Sequence, residues 1–403
     1  MKILYVNTHV HAGGAELISY SLFIHHPTSY LAVKFNGEPI DRVISLKQGF
    51  LVQVFAFLNK LKWRFKAKYS IKKLLAIEDK YNHTFQNLKK LKEYEEADII
   101  HLHNIHGDYF DLDAIEKIAK EKKIIWTLHD MWSITGGEAY TFENENYKIG
   151  IGKTPYLNVP PLNGTLVDNR QKYLEQKKTI YKNCSQNITF ISVSKWLESC
   201  FKQAYVFNEK LKIKTIYNGF DDAVFYPKKR TDTPNCRILI FNSKSPFKGS
   251  EIFKSVIESI TTPFELYIIG DAINIQNEKM LNVTVQPYLT DRKLLAQLYN
   301  SVDVLIFPSK AEAFGLIPVE AMACGVCVFA SNIGGIPEII EDKKNGFLFN
   351  STEELCNQLN QTISDKTVIK NIGKLAAEDV KSKFPIKRML EEYEKLYQET
   401  IQK

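Results

Sequence analysis

A chain of 403 residues with 44% hydrophobic and 25% charged residues has the composition of an ordinary globular protein, long enough for two or three separate cores. The formal net charge of +7 is too mild to single out nucleic acid, membrane or anionic small molecules as partner. Six cysteines are too sparse for a disulfide framework, and no run of about 18 apolar residues exists to span a bilayer.

The first strand is ILYV (3–6). It follows the start of the chain directly, with no long apolar signal segment, so a cytoplasmic location is expected, soluble or peripheral on the membrane. Gly13 and Gly14 then open a loop before a helix, where backbone can approach a phosphate or an acceptor. The stretch 47–73 interleaves Trp63, Phe65 and Tyr69 with Lys60, Lys62, Arg64, Lys66, Lys68 and Lys72. It reads equally as a contact with an anionic membrane or as a solvated basic helix face. ADIIHLH (97–103), KKIIWTLH (122–129) and NITFISVS (187–194) are short, apolar, β-rich runs, as buried parallel strands are, with a helix over 113–121 between the first two. Residues 134–170 lack periodicity and read as a long loop insertion.

The alternation restarts after 215–230, where Asn218-Gly219 and Pro227 mark a linker. RILIFN (237–242), ELYIIG (265–270), VTVQPY (283–288), VDVLIFPS (302–309) and VCVFAS (326–331) form a second strand set, with helices over 249–260, 291–300 and 316–324. The tail 385–403 is an amphipathic helix, with Met389, Leu390, Tyr393, Leu396, Tyr397 and Ile401 on one stripe. This is an α/β chain of two doubly wound, Rossmann-like domains, 1–217 and 218–384, followed by the helix 385–403.

The segment 302–325, VDVLIFPSKAEAFGLIPVEAMACG, carries the chemistry. A strand ends at Ser309, and a loop holding Gly315 leads into a helix near Leu316. Pro318 suits a first turn because its missing N–H is an orphan there. The amides of Phe314, Gly315 and Leu316 then point from a helix start at the carboxyl end of a strand, a geometry that binds phosphate. Glu312 and Glu320 flank that point. Carboxylates beside a diphosphate are repelled by it, so each is expected to grip neutral hydroxyls, the sugar on one side and the ribose on the other.

Glu, seven residues, Glu, with Phe-Gly inside, EAMACG after it and SNIGGIPEII beyond, resembles the retaining GT-B glycosyltransferases of family 4. The resemblance runs over nearly the whole chain. It implies two Rossmann-like domains facing each other across a cleft, the first binding acceptor and the second a nucleoside diphosphate sugar, with the tail helix crossing back to the first domain. It implies transfer to a hydroxyl of a glycan or lipid-linked acceptor in surface polysaccharide assembly, with retention, and with neither metal nor bound cofactor. Catalytic roles carry over to Glu312, to His129 in the TLHD-like stretch and to Lys248 in SPFKG, read as starting a helix. Donor binding carries over to Glu320, Phe314, Gly315, Leu316, Gly13 and Gly14. The family's usual arginine six residues before that lysine is Asn242 here, and Lys244 is the substitute. His103 and Asp130 are acceptor candidates, with His103 and His106 also readable as core histidines. Gly334-Gly335 is expected to approach a ligand, with Glu338 capping that loop.

Other matches are weaker. IGIGKT (149–154) lacks the first glycine of a phosphate loop, since Tyr147 stands there. Asp111 and Asp113 sit where a helix start favours acids. Cys324 and Cys327 have metal-like spacing but no second pair. No nucleic-acid module is present. The alternatives are a hydrolysing epimerase or phosphorylase of the same fold, and a non-catalytic donor-binding subunit.

Overall fold

The computed structural model describes residues 1–11, 13–35, 39–46, 80–142, 144–150, 167–231 and 233–402. The basic stretch 47–73 and most of the 149–154 match lie outside the described residues. Two compact units form. The first is Met1–Ile216 with Leu390–Lys403, and the second is Tyr217–Met389.

The first unit is built on a parallel seven-stranded sheet. Its strands are β1 (Ile3–His9), β2 (Tyr30–Phe35), β3 (Val43–Ser45), β4 (Ile99–Leu102), β5 (Lys123–Leu128), β6 (Ile188–Ser192) and β7 (Lys212–Thr215). The order is β3-β2-β1-β4-β5-β6-β7. Ile3, Leu4, Tyr5 and Val6 are at most 1% exposed, so both faces of the sheet are covered, which is why these strands read as continuous apolar runs rather than alternating ones. Chain order reverses direction between β1 and β4, where Leu4 pairs Ile100 and Tyr5 pairs His101.

The second unit has a parallel six-stranded sheet. It comprises β8 (Cys236–Asn242), β9 (Phe264–Gly270), β10 (Met280–Gln286), β11 (Val304–Phe307), β12 (Cys327–Ser331) and β13 (Phe347–Phe349), in the order β10-β9-β8-β11-β12-β13. Its reversal lies between β8 and β11, where Val304 pairs Ile238 and Ile306 pairs Ile240. Open α/β sheets bind ligands beyond the carboxyl ends of the strands at such a reversal. Each unit therefore has one privileged edge. The loops after β8 and β11 hold Lys248 and Glu312, and those after β1, β4 and β5 hold Gly13, His103 and His129.

The tail helix Ile386–Ile401 buries Met389, Tyr393, Leu396 and Tyr397 of the stripe its periodicity marks, while Leu390 is half-buried and Ile401 exposed. The helix expected over 249–260 is instead a 3-10 turn, Ser250–Ile252, running into Phe253–Glu258. Lys248 therefore lies in the bend before it and does not start a helix. Gly249 is the reason. It takes φ +64, and a Cβ there would fall 1.9 Å from the Pro308 carbonyl oxygen. All six cysteines are free, five of them buried.

Candidate active site

In the second unit two loops are fastened together at the reversal point. Lys310 N and Ser309 Oγ both donate to the Phe247 carbonyl, at 2.7 and 2.9 Å. This brings Lys248 Nζ to 2.5 Å from Glu312 Oε1, which also lies 2.9 Å from Ser309 Oγ. A cation and a carboxylate 64 residues apart thus meet at the end of β11, the lysine side chain 36% and the glutamate 14% exposed. Next along the chain, Gly315 at φ +115 caps the helix Leu316–Ala323. The amides of Phe314, Gly315 and Leu316 have no acceptor among the described residues. The Phe314 ring is buried against Tyr217 and Phe384, so its backbone, not its side chain, is what it offers a ligand. A cavity of about 120 Å³ lined by Ser243, Lys248, Tyr288, Pro308 and Ile317 opens beside them.

Three placements differ from the sequence reading. Gly334 and Gly335 approach protein rather than a ligand. A Cβ on Gly334 would fall 2.0 Å from the Glu312 carbonyl oxygen, and one on Gly335 2.4 Å from that of Ala313. The Gly335 amide donates to Glu312 O at 3.0 Å, so this loop is the backing that holds the Glu312 loop in place. Glu338 accepts from Tyr217 Oη at 2.7 Å. Lys244 is turned to solvent, its side chain 90% exposed, and pairs with Asp271 at 3.1 Å, away from the Lys248–Glu312 pair. The Asn242 amide meanwhile donates to the Asp271 carbonyl. Glu320 is only 2% exposed. Arg292 Nη2 lies 2.8 Å from its Oε1, close enough for an ion pair but without the alignment of a hydrogen bond. Burial pushes its carboxyl up to about 7, against the pull of Arg292.

In the first unit His129 follows β5 directly. Its Nε2 lies 3.0 Å from His103 Nδ1, with the two rings stacked at 5.3 Å. Burial pushes the His129 imidazole down to about 4, against the opposing charge of Asp130, and it is therefore neutral at pH 7. His103, an acceptor candidate from the sequence, is 1% exposed and meets His129 rather than solvent. Asp130 accepts from Trp132 N at 2.8 Å and sits 3.1 Å from His106 Nε2, capping the turn that follows. Gly13 caps the helix Gly14–His25 with extended backbone. Glu16 stands in that helix's first turn with its carboxylate beside Gly13, so an anion at this helix start meets like charge.

Sequence reasoning missed what stands behind these groups. Residues 131–138, whose last five open the stretch read as an irregular insertion, are buried. Lys177, fully buried on the helix Arg170–Cys184, donates to the carbonyls of Trp132 and Thr135, lies 3.7 Å over the Trp132 ring and so pins the loop after Asp130. Arg170 pairs with Glu138 and Asp168 beside it. Arg292 opposite Glu320 was likewise unforeseen; the only signal was a cation heading a helix close in sequence to the motif. Asp111 accepts from the amides of Asn82 and Thr84 and Asp113 pairs with Lys117, which are structural roles. A larger cavity, about 310 Å³, is lined by Lys123, Asn187, Lys212 and Glu399. It lies at the amino ends of β5 to β7, the wrong edge for a ligand in this fold.

The sequence model of the family described as Glycosyl transferases group 1 matches residues 238–379, the span that holds Lys248, Glu312 and Glu320. The chain is 26% identical over 319 residues to the putative colanic acid biosynthesis glycosyl transferase WcaC of Escherichia coli K12, covering 74% of this chain and 76% of that one. Its fold is similar to sucrose-phosphate synthase of Thermosynechococcus elongatus, with TM-score 0.66 and 18% identity over 99% of this chain and 98% of that one. It is also similar to Anabaena Alr3699/HepE crystallised with UDP-glucose, with TM-score 0.64 and 19% identity over 99% and 100% of the two chains. The chain is a glycosyltransferase of two-domain GT-B fold, and it is the second domain that carries the match to the group 1 model.

Proposed function

We propose that the protein transfers a sugar from a nucleoside diphosphate sugar to a hydroxyl of a glycan or lipid-linked acceptor, with retention at the anomeric carbon, at the cytoplasmic face of the membrane in surface polysaccharide assembly. The name of the relative WcaC and the UDP-glucose bound to HepE support the pathway and the donor class. The observation that carries the reading is the pairing of Lys248 with Glu312 beside three unpaired amides at the β8/β11 reversal.

In this reading the second domain holds the donor and the first the acceptor. The diphosphate rests on the amides of Phe314, Gly315 and Leu316 and on the Lys248 ammonium, which stabilise the charge that grows as the sugar leaves. Glu312 holds sugar hydroxyls and Glu320 the ribose, while His129 hydrogen-bonds the sugar. The departing phosphate takes the acceptor's proton on the face it leaves from, so no separate base is needed and positioning supplies much of the rate. Lys248 and the amides supply the positive charge that a metal provides elsewhere, and wild-type turnover is expected to persist in EDTA. Lys244 can contribute only by leaving Asp271.

A thermal-shift screen of UDP-, GDP- and ADP-sugars identifies the donor, since a ligand that binds only the folded chain raises its melting temperature. With that donor, Glu312→Ala is expected to lower kcat by about 100-fold or more while the melting temperature holds. Turnover at the wild-type level in Glu312→Ala would refute the assignment.

A further inference from the structure

We infer that His103 is a positioning residue that fixes His129 in the tautomer carrying its proton on Nδ1, so that His129 presents the sugar with an N–H donor. The inference rests on the proposed contact between His129 and the donor sugar.

The His103 ring cannot turn freely. It is 1% exposed and lies between His101, 4.2 Å away centroid to centroid, and His129 at 5.3 Å, with Tyr5 at 6.2 Å. Its backbone is held as well, the amide donating to Val6 O and the carbonyl accepting from Trp126 Nε1, both at 3.0 Å. His101 cannot take its place, because both His101 nitrogens are engaged, Nδ1 with Tyr397 Oη and Nε2 with Thr127 Oγ1, each at 2.8 Å. Of the nearby charged groups, Asp130 is engaged with His106 and the Trp132 amide, and Glu394 with His26. Among the described residues no carboxylate bonds either ring of the His103–His129 pair. Burial holds both imidazoles neutral.

Two neutral rings sharing one hydrogen bond have two arrangements. In one, His129 Nε2–H donates to His103 Nδ1, and His103 keeps its proton on Nε2. That nitrogen is buried with no hydrogen-bond partner, so the arrangement strands an N–H in the core. In the other, His103 Nδ1–H donates to His129 Nε2 and the stranded atom is a bare lone pair. Buried donors are left without acceptors less often than acceptors without donors, and the second arrangement is favoured. The proton of His129 then sits on Nδ1, which has no partner among the described residues. Such a group recognises an oxygen acceptor, as a sugar hydroxyl provides.

The direct test is ¹⁵N chemical-shift measurement on the full chain labelled at histidine. His129 is expected as the Nδ1–H form, and a dominant Nε2–H form overturns the inference. In transfer assays, His129→Asn places an amide N–H where Nδ1–H stood and His129→Gln where Nε2 stood. The Asn variant is expected to keep about tenfold more kcat/KM than the Gln variant, the worth of one hydrogen bond. The reverse order overturns the inference. His103→Leu is expected to mix the two His129 tautomers and His103→Asn, which keeps a donor at the Nδ1 position, to restore the single form. Identical ¹⁵N spectra and rates for these two variants would show that His103 only packs. If His129→Ala keeps full turnover, the sugar contact itself fails, while the ¹⁵N spectrum still decides the tautomer.

Discussion

Glu320 is 2% exposed and has one guanidinium near one of its oxygens. Removal from water raises its carboxyl from an ordinary 4.5 to about 7, with Arg292 opposing. In the unfolded chain it ionises near 4.5. Between 4.5 and about 7 the folded chain therefore holds a proton the unfolded chain has lost, and stability falls as pH rises through that window. The histidines His101 and His103, both buried, and His129, half-buried, act in the opposite sense. Burial lowers each of them, so their contribution is complete above about 6.5 and is lost as pH falls. Comparing Glu320→Gln with wild type cancels the histidines. The variant's melting temperature relative to wild type is expected to rise from pH 5 to pH 8, by the equivalent of at most about 3 kcal/mol. Arg292, 31% exposed, can take water as its new partner. An offset that stays flat or shrinks across that range means that Glu320 is not held protonated by burial.

At the scale of elements, the loop after β12 fixes the loop that carries Glu312. Gly334 has φ +55 and no room for a Cβ against the Glu312 carbonyl. Gly334→Ala is expected to cost about 1–3 kcal/mol for the backbone conformation alone, plus the displacement of the Glu312 loop. For a unit of this size that is about 2–4 °C of melting temperature per kcal/mol, with a parallel loss of kcat/KM. Unchanged melting and unchanged kinetics would mean the two loops are not coupled. β1, β4, β5, β6, β8, β9, β11 and β12 announced themselves because both faces of each are covered and their apolar runs are nearly unbroken. β3 and β13 are three residues long, and β7 and β10 are edge strands whose residues are largely part-exposed or exposed, so β3, β7 and β13 left no run to read and β10 was read over 283–288, three residues late at its start and two past its end. β2 went unread although Leu31, Ala32 and Val33 are buried. The positions of Glu312, Lys248 and His129 in the loops after β11, β8 and β5, and of Glu320 in the helix Leu316–Ala323, could be read from motif and chain order. Their partners were not. Arg292, Lys177 and His103 act through pairings that only the folded chain creates, and the double glycine looked like a ligand contact because a close approach of backbone to backbone leaves the same mark.

The whole molecule divides where the tail helix changes allegiance. Residues from Leu390 onward belong to the first unit although the chain reaches them from the second. There Tyr393 and Tyr397 are fully buried, Tyr393 Oη 2.8 Å from Thr127 Oγ1 and Tyr397 Oη 2.8 Å from His101 Nδ1 and 3.3 Å from Tyr5 Oη. His26 joins the same set, 2.9 Å from Tyr5 Oη and 2.8 Å from Glu394. Deleting 390–403 uncovers an apolar stripe and removes one partner each from His101 Nδ1, Thr127 Oγ1 and His26 Nε2, at up to about 1–3 kcal/mol for a buried polar atom left unpaired. A typical domain has only about 5–15 kcal/mol in total. The second unit keeps its own core of Ile238, Ile240, Phe253, Leu266, Ile306 and Phe329. Hydrogen exchange on the shortened chain is therefore expected to show β1, β4 and β5 unprotected while β8, β9 and β11 keep wild-type protection. Equal loss in both sheets would mean that the tail stabilises the chain as one cooperative body; retained protection in β1, β4 and β5 would mean that the buried tyrosine–histidine set is dispensable to the first unit.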